Sequence, residues 1–262
     1  MKIAVRDFDP VFVGIGRFVL AAIPAAITLW FLRLPVPNVR QFFSILTISA
    51  CLVFGFSWSL AEALIRVPAH HVAVVAGSIP LVVAVTAAIR DRERLSVSFW
   101  LVAVVGALTV TGYGLAKSSG HVGSADLFLI GAAVAGGIGY AEGGRLGREM
   151  GALAVSCWLP LVAAPLALVV CATRMPEHVT QIPASAWLAL GYNGVFSCWL
   201  GFAFWYRGLG RGGIGRIGQL QLTQPFFTLI FISLFFRESM APGDWMAAGI
   251  VVFCAAAAQV RG

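Results

Sequence analysis

The sequence is poor in charge. Only 11% of its 262 residues are Asp, Glu, Lys or Arg, whereas 60% are hydrophobic. A soluble domain carries about 25% charged residues, so this chain could not cover its surface with polar groups in water. The shortage of charge excludes a soluble globular protein and predicts a chain whose main partner is the lipid bilayer.

Cysteine, metal and catalytic motifs are also lacking. The five cysteines all lie in apolar stretches without CxxC spacing, which favours small buried side chains over a disulfide framework or a zinc site. No HExxH, GxSxG or acidic metal cluster occurs, and the adjacent His70 and His71 diverge on a helix. The sequence therefore predicts no catalytic residue, no metal site, no cofactor and no enzyme. Residues 213–218 fit GxGxxG, but they open an apolar run instead of following a strand, so no nucleotide site is predicted.

What the chain does have is a series of long apolar runs. A membrane-spanning helix needs about 20 mostly apolar residues, and these runs are too long and uniform for barrel strands. The first run has 23 residues, which is too long for the apolar core of a signal peptide. We predict an all-α, polytopic membrane protein with nine transmembrane helices, at 10–32, 42–65, 68–89, 96–116, 125–147, 152–173, 184–207, 214–236 and 244–260.

The basic residues indicate orientation. The net charge is +7, but the Lys and Arg residues are scattered in short loops, which argues against a nucleic-acid partner. The loops after spans one, three, five and seven, with the C-terminus, hold 11 Lys and Arg; the opposite side holds 6. Because basic loops stay in the cytoplasm, we predict a cytoplasmic C-terminus.

The chain repeats itself at an offset of 145 residues. Pro80 recurs as Pro225, the Arg-Glu pair at 92–93 as the pair at 237–238, and Trp100 as Trp245. Residues 42–116 match 187–261 at this offset, and span six matches span one at an offset of 141. Internal repeats in an apolar chain are typical of transporters built from two related halves.

Span five has no partner in the first half, because its counterpart would precede Met1. We therefore predict a first repeat at 1–120 with four helices and a second repeat at 121–262 with five, derived from a five-plus-five ancestor. Halves with an odd number of helices point in opposite directions, which predicts an inverted repeat. A misplaced start codon and a genuine loss of the first helix both explain the imbalance, and the start codon is favoured.

These motifs resemble the drug/metabolite transporter superfamily, EamA type. The resemblance rests on Pro80, the Glu-Arg-Leu run at 93–95 and Trp100, on their repeats Pro225, 238–240 and Trp245, and on Arg17 early in span one. It implies a multi-pass carrier of the inner (plasma) membrane, built of two inverted five-helix halves, that moves small organic solutes, in several members as an exporter. It also implies a central cavity, lined here by spans two, three, five, seven and eight.

Polar residues inside these spans are the candidate site residues, because polar groups in hydrocarbon usually face a cavity or one another. Glu62 either lines the cavity or pairs with Arg66, and Glu142 either lines it or pairs with Arg145. Arg17 binds an anionic group or extends to the lipid headgroups. Trp205 and Tyr206 are better explained as interface anchors. The predicted substrate path comprises Trp58, Glu62, Ser78, Pro80, Tyr140, Glu142, Asn193, Trp199, Gln221, Gln224 and Pro225.

The sequence is compatible with three candidate functions. The leading hypothesis is a secondary-active carrier, an exporter of small organic metabolites such as amino acids, working by alternating access. A degenerate scaffold without transport is the alternative, and a membrane-embedded enzyme is disfavoured because only two acids, Glu62 and Glu142, lie beyond the first residues of a span. The predicted partner is a small-molecule substrate, and both a monomer and a homodimer are open.

Overall fold

The fold is a bundle of helices. The computed structural model describes residues 4–66, 78–117, 124–176, 178–224, 227 and 242–261, and no strand occurs among them. Four described helices are long and apolar enough to cross a membrane: Pro10–Leu32, Val39–Ala63, Leu127–Met150 and Ala152–Thr173. These findings confirm the all-α class and an integral membrane protein, while the total of nine spans stays a prediction.

The helices follow the predicted runs wherever those runs are described. In chain order they are α1 (Pro10–Leu32), α2 (Val39–Ser49), α3 (Ser57–Arg66), α4 (Ile79–Arg90), α5 (Val97–Lys117), α6 (Ser124–Met150), α7 (Ala152–Thr173), α8 (Ala184–Tyr192), α9 (Gly201–Gly212), α10 (Ile214–Gly218) and α11 (Pro242–Arg261). Helices of the π type, Ala50–Phe56 and Asn193–Leu200, join α2 to α3 and α8 to α9. A 3-10 turn, Gln219–Thr223, continues α10.

Local sequence signals explain where several helices begin. The carboxylate of Asp9 accepts hydrogen bonds from the backbone N–H groups of Val11 (2.9 Å) and Phe12 (3.1 Å), and Pro10 occupies the first helical turn of α1. Asn38 and Gln41 form a capping box at the start of α2. Gly151 turns the chain between α6 and α7 with a φ of 93°, a conformation that favours glycine.

Helix α6 lies at the centre of the bundle, where it packs against α3, α4, α7 and α9. Its glycines permit this: a Cβ added at Gly143 would lie 2.2 Å from the ring of Tyr206 in α9. One added at Gly139 would lie 2.5 Å from the side chain of Leu52. Gly139 and Gly143 are four residues apart on α6, and this GxxxG spacing lets neighbouring helices approach closely.

The outer surface is apolar. Large hydrophobic side chains such as Trp30, Leu101, Leu108 and Phe253 are exposed along the helices. Soluble proteins rarely expose so many large apolar side chains, whereas a surface in contact with acyl chains requires them.

The connections gather at two ends of the bundle. At one end, which we call the Arg-rich end, Arg148 in the last turn of α6 forms an ion pair with Asp91 after α4. Trp158 of α7 donates a hydrogen bond to the carbonyl of Pro35 after α1 (3.0 Å). At the opposite end, Arg174 after α7 pairs with Asp9 (3.6 Å). The described segments after spans one, three and five thus lie at one end, as the alternation of spans predicts.

The two π segments occur at equivalent positions of the sequence repeat. Residues 50–56, shifted by the offset of 145, correspond to 195–201, which overlaps Asn193–Leu200. This recurrence agrees with the predicted repeat. The inverted relation of the halves, and the missing helix that it predicts, stay predictions.

Candidate functional site

Arg17 of α1 points into the bundle. Its Nε donates to the carbonyl of Gly14 (3.0 Å), and its Nη2 donates to the hydroxyl of Ser57 at the start of α3 (3.2 Å). Ser57 in turn donates to the carbonyl of Leu52, five residues earlier (3.0 Å). Arg17 was predicted either to bind an anionic group or to extend to the lipid headgroups. These contacts agree with the first interpretation, because Ser57 is itself buried.

A tyrosine and a glutamine from the other half lie near this arginine. The hydroxyl of Tyr140 in α6 and the thiol of Cys198 lie within electrostatic range of the Arg17 guanidinium group. The side chain of Gln221 lies beside this hydroxyl, and its Oε1 is buried without a hydrogen-bond partner among the described residues. We call Arg17, Ser57, Tyr140, Tyr206 and Gln221 the central polar cluster.

Aromatic rings of α9 form one wall of this cluster. The ring centroid of Tyr140 lies 6.1 Å from those of both Phe202 and Trp205, in edge-to-face geometry. Tyr206 is fully buried, and within the described structure neither its hydroxyl nor the indole N–H of Trp205 has a hydrogen-bond partner. The interface-anchor prediction is therefore wrong for Tyr206, which faces the glycines of α6 and not the headgroups.

Buried polar groups without partners are costly, unless a ligand or water satisfies them. The central polar cluster offers the donors of Arg17 and Tyr206 and an acceptor on Gln221, and the neighbouring indole of Trp205 adds a further donor. Such a set can bind a small molecule that has an anionic group, a further polar group and an apolar part.

The remaining predicted site residues of the first half lie around this centre. Trp58 is partly buried against the core, and the guanidinium carbon of Arg174 lies 5.8 Å from its ring centroid. Glu62 is half-buried one turn further along α3, and Ser78 is half-buried just before α4. Pro80 is buried in the first turn of α4.

Those of the second half are more dispersed. The side-chain amide of Asn193 donates to the carbonyl of Ala189 in its own span (2.8 Å), and the indole of Trp199 donates to the sulfur of Cys157 (3.3 Å). Gln224 is exposed, and Pro225 lies outside the described residues.

Gln219, five residues before Gln224 in sequence, connects the two halves of the chain. It is fully buried, and its Nε2 donates to the carbonyl of Pro80 (3.0 Å). It therefore bonds helices of different halves to each other, one of the two roles open to an amide in hydrocarbon.

Glu142 belongs to a separate ionic network near the Arg-rich end. It binds Arg145 through both oxygens (2.5 and 3.2 Å), and Arg90 of α4 lies 2.9 Å from its Oε2. Arg145 also donates to Ser44 of α2 (3.0 Å). Glu142 therefore pairs with Arg145, which was one of its two predicted roles.

Glu93 makes a second contact between the halves at this end. Its carboxylate accepts hydrogen bonds from the backbone N–H groups of Ile214 (2.8 Å) and Gly215 (2.9 Å), at the start of α10. These amides belong to the GxGxxG stretch, so a protein carboxylate occupies the place that a nucleotide phosphate would take. Nearby, burial raises the pKa of Asp91, and the charge of Arg148 opposes this shift.

Comparisons with known proteins agree with this architecture. A model of the EamA-like transporter family matches residues 1–114 and 123–258. A protein of Bacillus subtilis (strain 168), "Uncharacterized transporter YdeK", is 36% identical over 261 residues, which are 98% of this chain and 90% of the relative. A solved crystal structure that is 18% identical superposes with a TM-score of 0.77 over 97% of this chain and 89% of its own, which shows a shared fold.

Proposed function

The chain belongs to the EamA-like transporter family, and from this premise we propose that it exports small organic metabolites, such as amino acids, by alternating access. The family and the relative's name point to a membrane transporter rather than an enzyme. The substrate, the direction and the cycle are our proposal.

The central polar cluster is the observation that carries this proposal. It takes Arg17 and Ser57 from the first half of the chain and Tyr140, Tyr206 and Gln221 from the second. A site built by both halves changes its exposure when the halves move against each other, as alternating access requires.

The chemistry of the cluster supports a substrate that carries a carboxylate or another anionic group. Arg17 forms no ion pair with any described acid, so its charge is available to a ligand. Guanidinium groups bind carboxylates through short, charge-assisted hydrogen bonds. The rings of Tyr140, Phe202 and Trp205 then offer an apolar surface to the rest of the molecule.

Efflux from proteoliposomes loaded with a panel of labelled amino acids and organic acids tests the proposal. We expect efflux of at least one anionic or zwitterionic compound, and about a tenfold or larger loss with Arg17→Gln, because a hydrogen bond to a charged group contributes about 1.5–3 kcal/mol. Arg17→Lys should keep part of the activity, and Arg6→Gln, at an exposed arginine, should keep nearly all of it. Full efflux by Arg17→Gln would reject the assigned role.

For orientation we propose that the Arg-rich end and the C-terminus face the cytoplasm of a cell whose inner membrane holds the protein. The bias in basic residues supports this. A fluorescent protein fused to Gly262 should fluoresce, and a periplasmic phosphatase at the same position should be inactive. The reverse pair of results would invert the topology.

A further inference from the structure

A cavity of about 360 Å³ opens between α2, α4 and α6 at the Arg-rich end. We call it the basic pocket. It is lined by Arg40, Phe43, Ser44, Thr47, Arg90 and Arg145. The α2 residues follow helical spacing, so they present one face of that helix to the cavity.

The basic pocket carries excess positive charge. Arg90 and Arg145 share the carboxylate of Glu142, which is 2% exposed and has both oxygens engaged by the two arginines. Arg145 also reaches Glu149 outside the lining. Arg40 forms no ion pair with a described residue, and it is exposed. Three guanidinium groups thus border the cavity above a single buried acid, an arrangement that favours an anion.

This pocket is separate from the central polar cluster. Tyr140 and Arg145 are five residues apart on α6, which places their side chains about 140° apart around the helix. Tyr140 packs against α9, whereas Arg145 reaches α2. An anion in the basic pocket would therefore lie on the opposite side of α6 from the proposed substrate site.

The rim of the basic pocket is apolar and outward-facing. Phe43 lines the cavity and is 61% exposed, and Ile89, the neighbour of Arg90, is 76% exposed. Phe42 and Leu46 of α2 are exposed as well. Apolar side chains at the same depth as the arginines mark the boundary between headgroups and acyl chains. A ligand here meets cations on one side and hydrocarbon on the other.

We propose that the basic pocket binds the phosphate of an anionic membrane phospholipid. The guanidinium groups of Arg40 and Arg90 donate to the phosphate oxygens, and the acyl chains lie along Phe43 and Ile89. Basic pockets between transmembrane helices are a recurrent form of headgroup site. A free phosphate could accept the same hydrogen bonds, but it has no acyl chains to contact Phe43 and Ile89. The apolar rim therefore favours the lipid.

Native mass spectrometry of the full chain in neutral detergent, titrated with phosphatidylglycerol or phosphatidylcholine, tests the proposal. We expect preferential binding of phosphatidylglycerol, weakened about fivefold by Arg40→Gln, the loss expected for one basic residue at an anionic surface. The matched control is Arg207→Gln, at another exposed arginine, which should leave the affinity unchanged. Because Arg40 forms no described ion pair, Arg40→Gln should fold, and an unchanged melting temperature checks this.

Equal binding of the two lipids would overturn the proposal, and so would equal effects of the two substitutions. Inorganic phosphate is the third arm. If millimolar phosphate displaces phosphatidylglycerol, the site belongs to a soluble anion and the lipid assignment fails. Retention of the lipid in phosphate supports it.

Discussion

At the scale of single residues, the buried charges are held by partners on other helices. Glu142 reaches Arg90 of α4 as well as Arg145 of its own helix, and Arg17 reaches Ser57 across 40 residues of sequence. An unpaired charge in hydrocarbon is expensive, so each contact favours the packing in which its partners meet.

Replacing Glu142 by Gln should destabilise the protein by about 3 kcal/mol, the lower end of the range for breaking a buried ion pair, because Arg145 retains Glu149. Glu149→Gln is the control, since it removes a more exposed partner of the same arginine and should cost at most about 1 kcal/mol. Thermal unfolding in detergent, followed by tryptophan fluorescence, measures both. Equal melting temperatures for the two variants would show that the Glu142 network contributes little.

The sequence could single out the polar residues in the spans as site candidates, but it could not predict the direction in which each side chain points. Tyr140 and Gln221 were identified because polar groups are rare in such spans, and the structure brings them together. Tyr206 was missed as a member of the cluster because a tyrosine near a span end usually anchors at the interface. The available signal was the glycine spacing of α6, since Gly143 leaves room for a bulky partner.

At the scale of helices, boundaries were predictable and helix type was not. Prolines, capping residues and the lengths of the apolar runs place α1, α6 and α7 within a few residues of the structure. The π segments give no periodic signal, because one extra residue in a turn leaves an apolar run apolar. Ser57, directly after the first π segment, shows one consequence of the π geometry. Its hydroxyl donates a hydrogen bond to the carbonyl of Leu52, five residues back.

Gly143→Ala should loosen the contact between α6 and α9. The new methyl group would lie 2.2 Å from the buried ring of Tyr206, so one helix must shift, at about 1–3 kcal/mol. Gly249→Ala in α11 is the matched control, because nothing lies within 4 Å of the added carbon and alanine favours a helix. We expect a lower melting temperature for the first variant and an unchanged or higher one for the second. A stable Gly143→Ala variant would contradict the close packing.

At the scale of the whole molecule, several polar contacts join the halves, and two of them bind the segment 214–219 to the first half at different depths. Gln219 bonds the carbonyl of Pro80 inside the bundle, and Glu93 binds the start of α10 at the Arg-rich end. The repeat predicted two related halves, but it could not predict these contacts. These contacts depend on how the two halves pack against each other. Matching the sequence of one half to that of the other gives no information on this packing.

If the Arg-rich end opens during transport, the bonds from Glu93 to Ile214 and Gly215 must break. Glu93→Gln removes the charge, and a hydrogen bond to a charged group contributes about 1.5–3 kcal/mol, so the open state should gain about tenfold or more in population. Cys198 reports on this, because it is buried beside the central polar cluster. Its alkylation by a membrane-impermeant thiol reagent should speed up only from the Arg-rich side.

The measurement needs a chain in which Cys198 is the single cysteine, with alanine or serine at Cys51, Cys157, Cys171 and Cys254. Inside-out and right-side-out vesicles present the two ends separately to the reagent. Glu149→Gln, which removes a carboxylate at the same end without touching α10, should leave the alkylation rate unchanged. Because Glu93 joins the halves at one end only, faster labelling from both sides would indicate general loosening, and an unchanged rate would show that this contact does not hold the end closed.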